Sequence, residues 1–152
     1  GGDYVITDSI NNATINLLQE CTSGCKSATD SMKIVLEHVS DQNLGRLIKE
    51  YNKEHIKIGD QCNEMLRTLG AKEKDPGMMA KAFSKVSTEI RLLGKDDSNK
   101  IAKIMMDGCN MGIQSISEEI NKSKDASKES IEIANKLVSI EQKFDNELKN
   151  YL

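Results

Sequence analysis

The chain has 152 residues, which is a common size for one domain with one buried core. Its 21 Lys and Arg residues against 24 Asp and Glu residues give a formal charge of -3, and no basic block stands apart from neighbouring acids, so we expect no nucleic-acid partner and no membrane partner. The chain has one Pro, no Trp and 3% aromatic residues, so it is poor in the residues that β-strands favour. The composition therefore predicts an all-α protein.

Helical periodicity and turn residues predict two long helices in the first half of the chain. The first helix is expected from residue 7 or 8 to residue 39. A turn follows in which Ser40 or Asp41 can cap the next helix. The second helix is expected over 44–69 and ends at Gly70.

Three further helices are predicted after this point. A loop over 70–77 leads into a shorter helix over 76–93, which begins at a proline. After a break at 94–100, a fourth helix is expected to end near Asn121, and a turn at 122–127 leads into a fifth helix that reaches the C-terminus. No apolar run reaches the roughly 18 residues that a membrane span needs. We expect residues 3–152 to form one domain and residues 1–2 to be a cloning remnant.

The lengths of the connections predict the topology. Short turns join the first helix to the second and the fourth to the fifth, so each pair should form an antiparallel hairpin. A connection of about 26 residues that contains its own helix separates the hairpins. Such a crossover is long enough to let the second and fourth helices run parallel. The predicted fold is a four-helix bundle of two hairpins and one crossover.

Three stretches of the chain resemble the ferritin-like superfamily, and within it a bacterial branch of short bundles with a helical crossover and degenerate metal motifs. They are 37-EHVSDQNLGRLI-48, 65-MLRTLGAKEKDPG-77 and 101-IAKIMMDGCNMGIQSI-116. The resemblance covers nearly the whole chain and implies a ferritin-like four-helix bundle. It implies the fold more strongly than the function.

The metal-binding residues of that superfamily are not reproduced here. Its di-iron members use Glu from two helices and Glu-x-x-His from the other two. In this chain Asn52 stands three residues before His55, and Phe144 stands three residues after Glu141. In the fourth helix the nearest acid is Asp107. We therefore expect no di-iron centre.

His55 is the one ring nitrogen donor on the predicted buried seam of the second helix. The seam steps by fours and threes through Leu44, Ile48, Tyr51, His55, Ile58, Cys62, Met65 and Leu69. As a metal ligand, His55 would need donors such as Asp30, Glu50 or Glu54. As a buried structural residue it needs one hydrogen-bond partner, for which we expect Thr29, Asp30 or a buried water. The structural interpretation is the one we favour.

The four cysteines suggest an alternative kind of site, in which thiols bind a metal ion. Counting back from the first turn places Cys21 level with Cys62 and Cys25 level with Ile58, and Cys109 on the fourth helix could face them. Such thiols suit Cu(I) or Zn(II), and Cys21, Cys25, Cys62, Cys109 and His55 are the candidate ligands. Free cysteine is also a commonly buried small residue, so core packing is expected ahead of metal binding, and ahead of a disulfide.

Glycines inside helices indicate close packing because each lowers helix stability by about 0.5–1 kcal/mol relative to alanine. Gly24, Gly108 and Gly112 all lie in the two helices that carry Cys21, Cys25 and Cys109. We expect close backbone approach, or a small cavity, at these three positions.

Two functions follow from these observations. The first is a non-catalytic structural or interaction module, with no cofactor, that forms a homo-oligomer or binds another protein. The alternative is a thiol-based metal-binding or redox protein that uses Cys21, Cys25 and Cys62. Cysteines inside helices are not the pattern of a secreted disulfide scaffold, so a reducing, cytoplasmic location is expected.

Overall fold

In the computed structural model, the structure describes residues 2–74, 85–94 and 97–152, and for residues 2–8 and 10 it describes the backbone alone. Helices account for most of this part of the chain, which contains no strand. In chain order they are α1 (Gly2–Leu36), α2 (Gln42–Thr68), α3 (helical residues 85–91), α4 (Ser98–Lys122), α5 (Lys128–Leu148) and a short 3-10 helix at Lys149–Tyr151. None of the described helices is both long and apolar enough to cross a membrane.

The helix ends follow from local hydrogen bonding. Asp41 caps α2, because its Oδ1 accepts hydrogen bonds from the amides of Asn43 at 2.9 Å and Leu44 at 3.0 Å, as predicted. The first helix ends at Leu36 and not at residue 39, because the next residues turn back onto its last carbonyls. Of the helix predicted over 76–93, residues 76–84 lie outside the described residues, and residues 85–91 are helical.

Contacts between the helices establish their directions. In α1 and α2, which form one hairpin, Cys25 packs against Gly59. Between α2 and α5, Tyr51 stacks on Phe144 while the later α2 residue His55 meets the earlier α5 residue Glu141, so these helices are antiparallel. The fourth and fifth helices form the second hairpin. Since α2 and α4 are each antiparallel to α5, they run parallel to each other, as predicted.

The buried side chains form two apolar clusters, one toward each end of the bundle. The first core cluster includes Leu18, Cys21, Cys25, Ile58, Cys62, Ile116 and Leu137. The second core cluster includes Met32, Ile48, Ile101, Met105, Cys109, Phe144 and Leu148. Tyr51 packs against both clusters. The charged side chains of His55 and Glu141 are buried where the two clusters meet.

The buried seam of α2 differs from the prediction near its end. Leu66 is buried, whereas Met65 is half-buried and Leu69 is exposed. A helix turns once every 3.6 residues, so a seam spaced by 3.5 residues drifts away from the core over several turns. By the end of α2 the drift has moved the buried position by one residue.

Candidate functional site

The candidate site is centred on His55, which is 1% exposed and thus as buried as predicted. Its Nδ1 lies 2.7 Å from the carbonyl oxygen of Tyr51, one turn earlier in α2, and its Nε2 contacts the carboxylate of Glu141. The prediction of Thr29 or Asp30 as the partner was wrong, because Glu141 reaches His55 from α5 across the core. Asp30 instead pairs with Lys26 at 3.5 Å, and Thr29 donates to the Lys26 carbonyl.

Two opposing effects act on the protonation of His55. Burial disfavours the charged imidazolium, but the hydrogen bond to Glu141, the negative charge of Glu141 and the Tyr51 carbonyl favour it. The second group of effects is larger, so the pKa of His55 is raised above its ordinary value of 6.5. A protonated His55 donates through both ring nitrogens, which matches the two oxygen acceptors around it.

Gly112 on α4 provides the space for the Glu141 carboxylate. A Cβ at position 112 would lie 2.9 Å from Glu141 Oε2 and 3.3 Å from its Cδ, which is closer than real Cβ atoms approach. The neighbour of Gly112 is thus a side chain and not the backbone approach that was predicted there. At Gly108 the prediction was wrong, since this residue is exposed and a Cβ there would have nothing within 4 Å. At Gly24 the nearest atom, from Ile116, is at an ordinary contact distance of 3.6 Å.

Cys109 belongs to the Glu141 side of the site. Burial, followed by the negative charges of Glu141 and Asp145, raises the pKa of the Cys109 thiol, and its interaction with Glu141 adds to this. The sequence suggested that Cys109 could face the other three cysteines. It lies instead in the second core cluster, whereas Cys21, Cys25 and Cys62 all lie in the first.

Tyr51 closes the site on the side of the second core cluster. Its ring stacks on Phe144 with centroids 4.5 Å apart, and its hydroxyl donates to Glu147. Partial burial and the bond to Glu147 raise the pKa of Tyr51. The same residue thus fixes His55 through its carbonyl and α5 through its ring.

Cys21, Cys25 and Cys62 form a second group of reactive side chains, which we call the thiol layer. Cys21 and Cys62 are completely buried, and each shifts the pKa of the other, in agreement with their predicted common level. Cys25 is 2% exposed and packs against Gly59, where a Cβ would lie 3.2 Å from that of Cys25. All the cysteines of the chain are free thiols.

The surroundings of the thiol layer shift the pKa values of its three thiols in different directions. The hydrogen bond that Cys21 donates to Cys62, followed by burial, raises the pKa of Cys21. The same bond lowers the pKa of Cys62 against the opposing effect of burial. Burial, then the charges of Cys62 and Glu141, raises the pKa of Cys25. Cys62 is therefore the member of the layer that ionises first.

Metal coordination by these residues remains a prediction. Within residues 2–74, 85–94 and 97–152, no group of three or more His, Cys, Asp and Glu side chains is arranged to hold a metal ion. The thiol layer brings together three of the five candidate ligands, Cys21, Cys25 and Cys62. Of the other two, Cys109 and His55 both contact Glu141.

Glu141 is the site residue that the sequence reasoning missed. The buried positions of α5 are Ser130, Ala134, Leu137, Ile140, Glu141, Phe144 and Leu148. Positions 134, 137, 141, 144 and 148 step by threes and fours, as the seam of α2 does. A carboxylate at a buried position indicates a buried hydrogen-bond or ionic partner. The spacing of these positions was therefore the sequence signal that could have identified Glu141.

Comparison with known proteins supports the fold. The structure is similar to the X-ray structure of Dps from Thermosynechococcus elongatus, with a TM-score of 0.64 and 15% sequence identity over 99% of this chain and 94% of that one. No family model matches the sequence, and neither does any curated protein. The likeness, together with the two hairpins and the parallel pair of α2 and α4, shows that the chain has a ferritin-like four-helix bundle fold.

Proposed function

We propose that this protein is a non-catalytic structural or interaction module, built on a ferritin-like bundle without a di-iron centre, that self-associates. The observation that supports this most is the pairing of His55 with Glu141. A histidine binds a metal ion through the lone pair of a neutral ring nitrogen. Both nitrogens of His55 already face oxygen acceptors of this chain, and its raised pKa favours the protonated form, which has no such lone pair.

The surface proposed for self-association is a groove between α1 and α2. It has a volume of about 400 Å³ and is lined by Thr29, Asp30, Lys33, Leu36, Glu37, Asn52 and Ile56. Ile56 is 46% exposed at this groove, beside charges of both signs. In a two-fold dimer the same surface meets itself, so Lys33 of one copy can face Glu37 of the other while the two Ile56 side chains meet.

Light scattering on the purified protein tests self-association. We expect a mass of at least two copies at micromolar concentration. Ile56→Glu should give the mass of one copy, because it places a like-charge pair at the two-fold contact. Met111→Glu is the matched control, since Met111 is also exposed but lies on α4, away from the groove, and the control should keep the parental mass. A monomeric parent protein contradicts this part of the proposal.

Elemental analysis tests the absence of a metal centre. Protein purified without chelator should carry iron, copper and zinc well below one equivalent. The alternative function, Cu(I) or Zn(II) binding, is supported by the common level of Cys21, Cys25 and Cys62. It would replace the present proposal if one equivalent of either ion were found and if Cys21→Ala with Cys62→Ala abolished its binding.

Composition supports the remaining parts of the proposal. The chain has a formal charge of -3 without a basic block, which is unsuited to nucleic acid and to an anionic membrane surface. Four free buried thiols suit a reducing compartment. We therefore propose a reducing, cytoplasmic location, with copies of the chain itself or another protein as partners.

A further inference from the structure

The thiol layer contains a feature that the proposed function does not use. Cys21 on α1 and Cys62 on α2 are completely buried in the first core cluster, and the packing of Cys25 against Gly59 one turn away brings the two helices close together at their level. Apolar core packing needs no contact between two sulfurs. Their juxtaposition places two oxidisable atoms at one level of the hairpin.

We propose that Cys21 and Cys62 are a redox modification site, at which oxidation by a hydroperoxide forms a disulfide that ties α1 to α2. The link would close the part of the chain between residues 21 and 62, including the turn between the two helices. This inference does not depend on the oligomeric state or on the absence of a metal.

The separation of the two helices fits such a bond. One turn from Cys21, a Cβ at Gly59 would lie only 3.2 Å from the Cβ of Cys25. The Cβ atoms of a disulfide lie about 3.5–4.5 Å apart. Because Gly59 has no side chain, α1 and α2 approach closely at this level, and the neighbouring pair Cys21 and Cys62 can reach the disulfide distance without separating the hairpin.

The chemistry assigns a separate role to each sulfur. Cys62 ionises first because Cys21 donates a hydrogen bond to it. The Cys62 thiolate attacks one oxygen of hydrogen peroxide, so the S–O bond forms, the O–O bond breaks, and the leaving hydroxide takes up a proton to become water. Cys21 then attacks the sulfenic sulfur of Cys62. The S–S bond forms, the S–O bond breaks, and the second hydroxide leaves as water with the Cys21 proton. Two thiols lose two electrons, and one peroxide becomes two waters.

The other two cysteines are placed less well to be the partner of Cys62. Cys25 packs against Gly59, and burial raises its pKa. Cys109 is bonded to Glu141 in the second core cluster. The disulfide is therefore expected to be specific to Cys21 and Cys62.

The experiment treats the full-length reduced protein with hydrogen peroxide, both in buffer and in urea below the unfolding transition. Urea is included because both sulfurs are buried and oxidation is then limited by opening of the bundle. The intact mass should fall by two hydrogens. Non-reducing trypsin digestion should link peptide 1–26 to peptide 58–67, and leave peptide 104–122, which carries Cys109, unlinked.

Variants identify the partner, because peptide 1–26 carries both Cys21 and Cys25. The link should be lost in Cys21→Ala and in Cys62→Ala, and kept in the matched controls Cys25→Ala and Cys109→Ala. Oxidised parent protein should melt about 5–15 °C higher than reduced protein, as a cross-link over this span predicts. Dithiothreitol should reverse the shift.

Several results would overturn the inference. A link that is kept in Cys21→Ala but lost in Cys25→Ala would assign the pair to Cys25 and Cys62. Stable sulfenic or sulfinic acid on Cys62 without a link, or a link between two copies of the chain, would exclude the internal disulfide. Recovery of four free thiols after hours in peroxide and urea would exclude the site altogether.

Discussion

At the scale of single residues, His55 and Glu141 hold each other in an interior where neither charge would be stable alone. His55 is 1% exposed and Glu141 is 6% exposed. The desolvation of two ions is large, and it is offset here by their mutual attraction and by hydrogen bonds from Cys109 to Glu141 and from His55 to the Tyr51 carbonyl. Removing one partner leaves the other without that compensation.

We therefore expect His55→Gln to lower the free energy of unfolding by about 3–5 kcal/mol, because it leaves the Glu141 carboxylate buried without a cationic partner. The measurement is urea unfolding followed by circular dichroism. His38→Gln is the matched control. His38 is exposed and its ring contacts the Ile34 carbonyl, so its replacement should change stability by no more than about 0.5 kcal/mol. Equal effects of the two substitutions would contradict the buried pair.

The raised pKa of His55 predicts how stability depends on pH. The folded protein binds the His55 proton more tightly than the unfolded chain, whose histidine titrates near 6.5. The stabilisation is therefore complete below that pH and is lost as the pH rises through the folded-state pKa. Urea midpoints measured from pH 6 upward should show the difference between the parent protein and His55→Gln shrinking. A difference that stays constant with pH would mean that the pKa of His55 is not shifted, and one that grows with pH would mean that it is lowered.

The sequence predicts residue burial better than it predicts residue partners. The heptad position of His55 is sufficient to place it in the core, because burial depends on the face of one helix. Its partner Glu141 lies 86 positions further along the chain. Which of several acids reaches His55 depends on the rotation of α5 about its own axis and on its position along the bundle. The residue pattern of α2 determines neither.

At the scale of the helix, α4 shows that two glycines on one element can have opposite roles. Gly112 faces α5, where the Glu141 carboxylate fills the space that a side chain would need. Gly108, one turn earlier, faces open space. Sequence alone gives the two glycines the same interpretation, because the low helix propensity of glycine does not say which way the residue points.

These two glycines allow a matched pair of substitutions. Gly112→Ala should lower the free energy of unfolding by about 1–3 kcal/mol, because its Cβ would displace Glu141 from His55. Gly108→Ala should raise it by about 0.5–1 kcal/mol, because alanine favours the helix and meets no neighbour. Thermal unfolding of both variants checks the prediction. If Gly112→Ala also stabilised the protein, the space at position 112 would not serve Glu141.

At the scale of the whole molecule, the lengths of the connections between helices predict the topology better than any single residue pattern does. Two short turns and one long crossover require two hairpins with α2 and α4 parallel, and the contacts of α5 with α2 confirm this arrangement. Pairing of the thiols Cys21 and Cys62 also followed from the short first turn, since counting along two antiparallel helices fixes which residues are level. The polar boundary between the two core clusters could not be predicted, because it combines residues from separate hairpins.

That boundary gives the last prediction. His55 and Glu141 lie where the first and second core clusters meet, so apolar residues of similar volume would join the clusters into one continuous core. Replacing a buried ion pair in this way is often neutral or stabilising by about 1–4 kcal/mol, whereas breaking it is strongly destabilising. We expect His55→Leu and Glu141→Met each to destabilise the bundle, and the double substitution to restore or exceed the parental free energy of unfolding in urea. Circular dichroism and light scattering verify that the double variant keeps its helices and its mass. Single effects that simply add in the double variant would show that the two residues are not a pair, and the proposal of a closed, metal-free bundle interior would lose its main support.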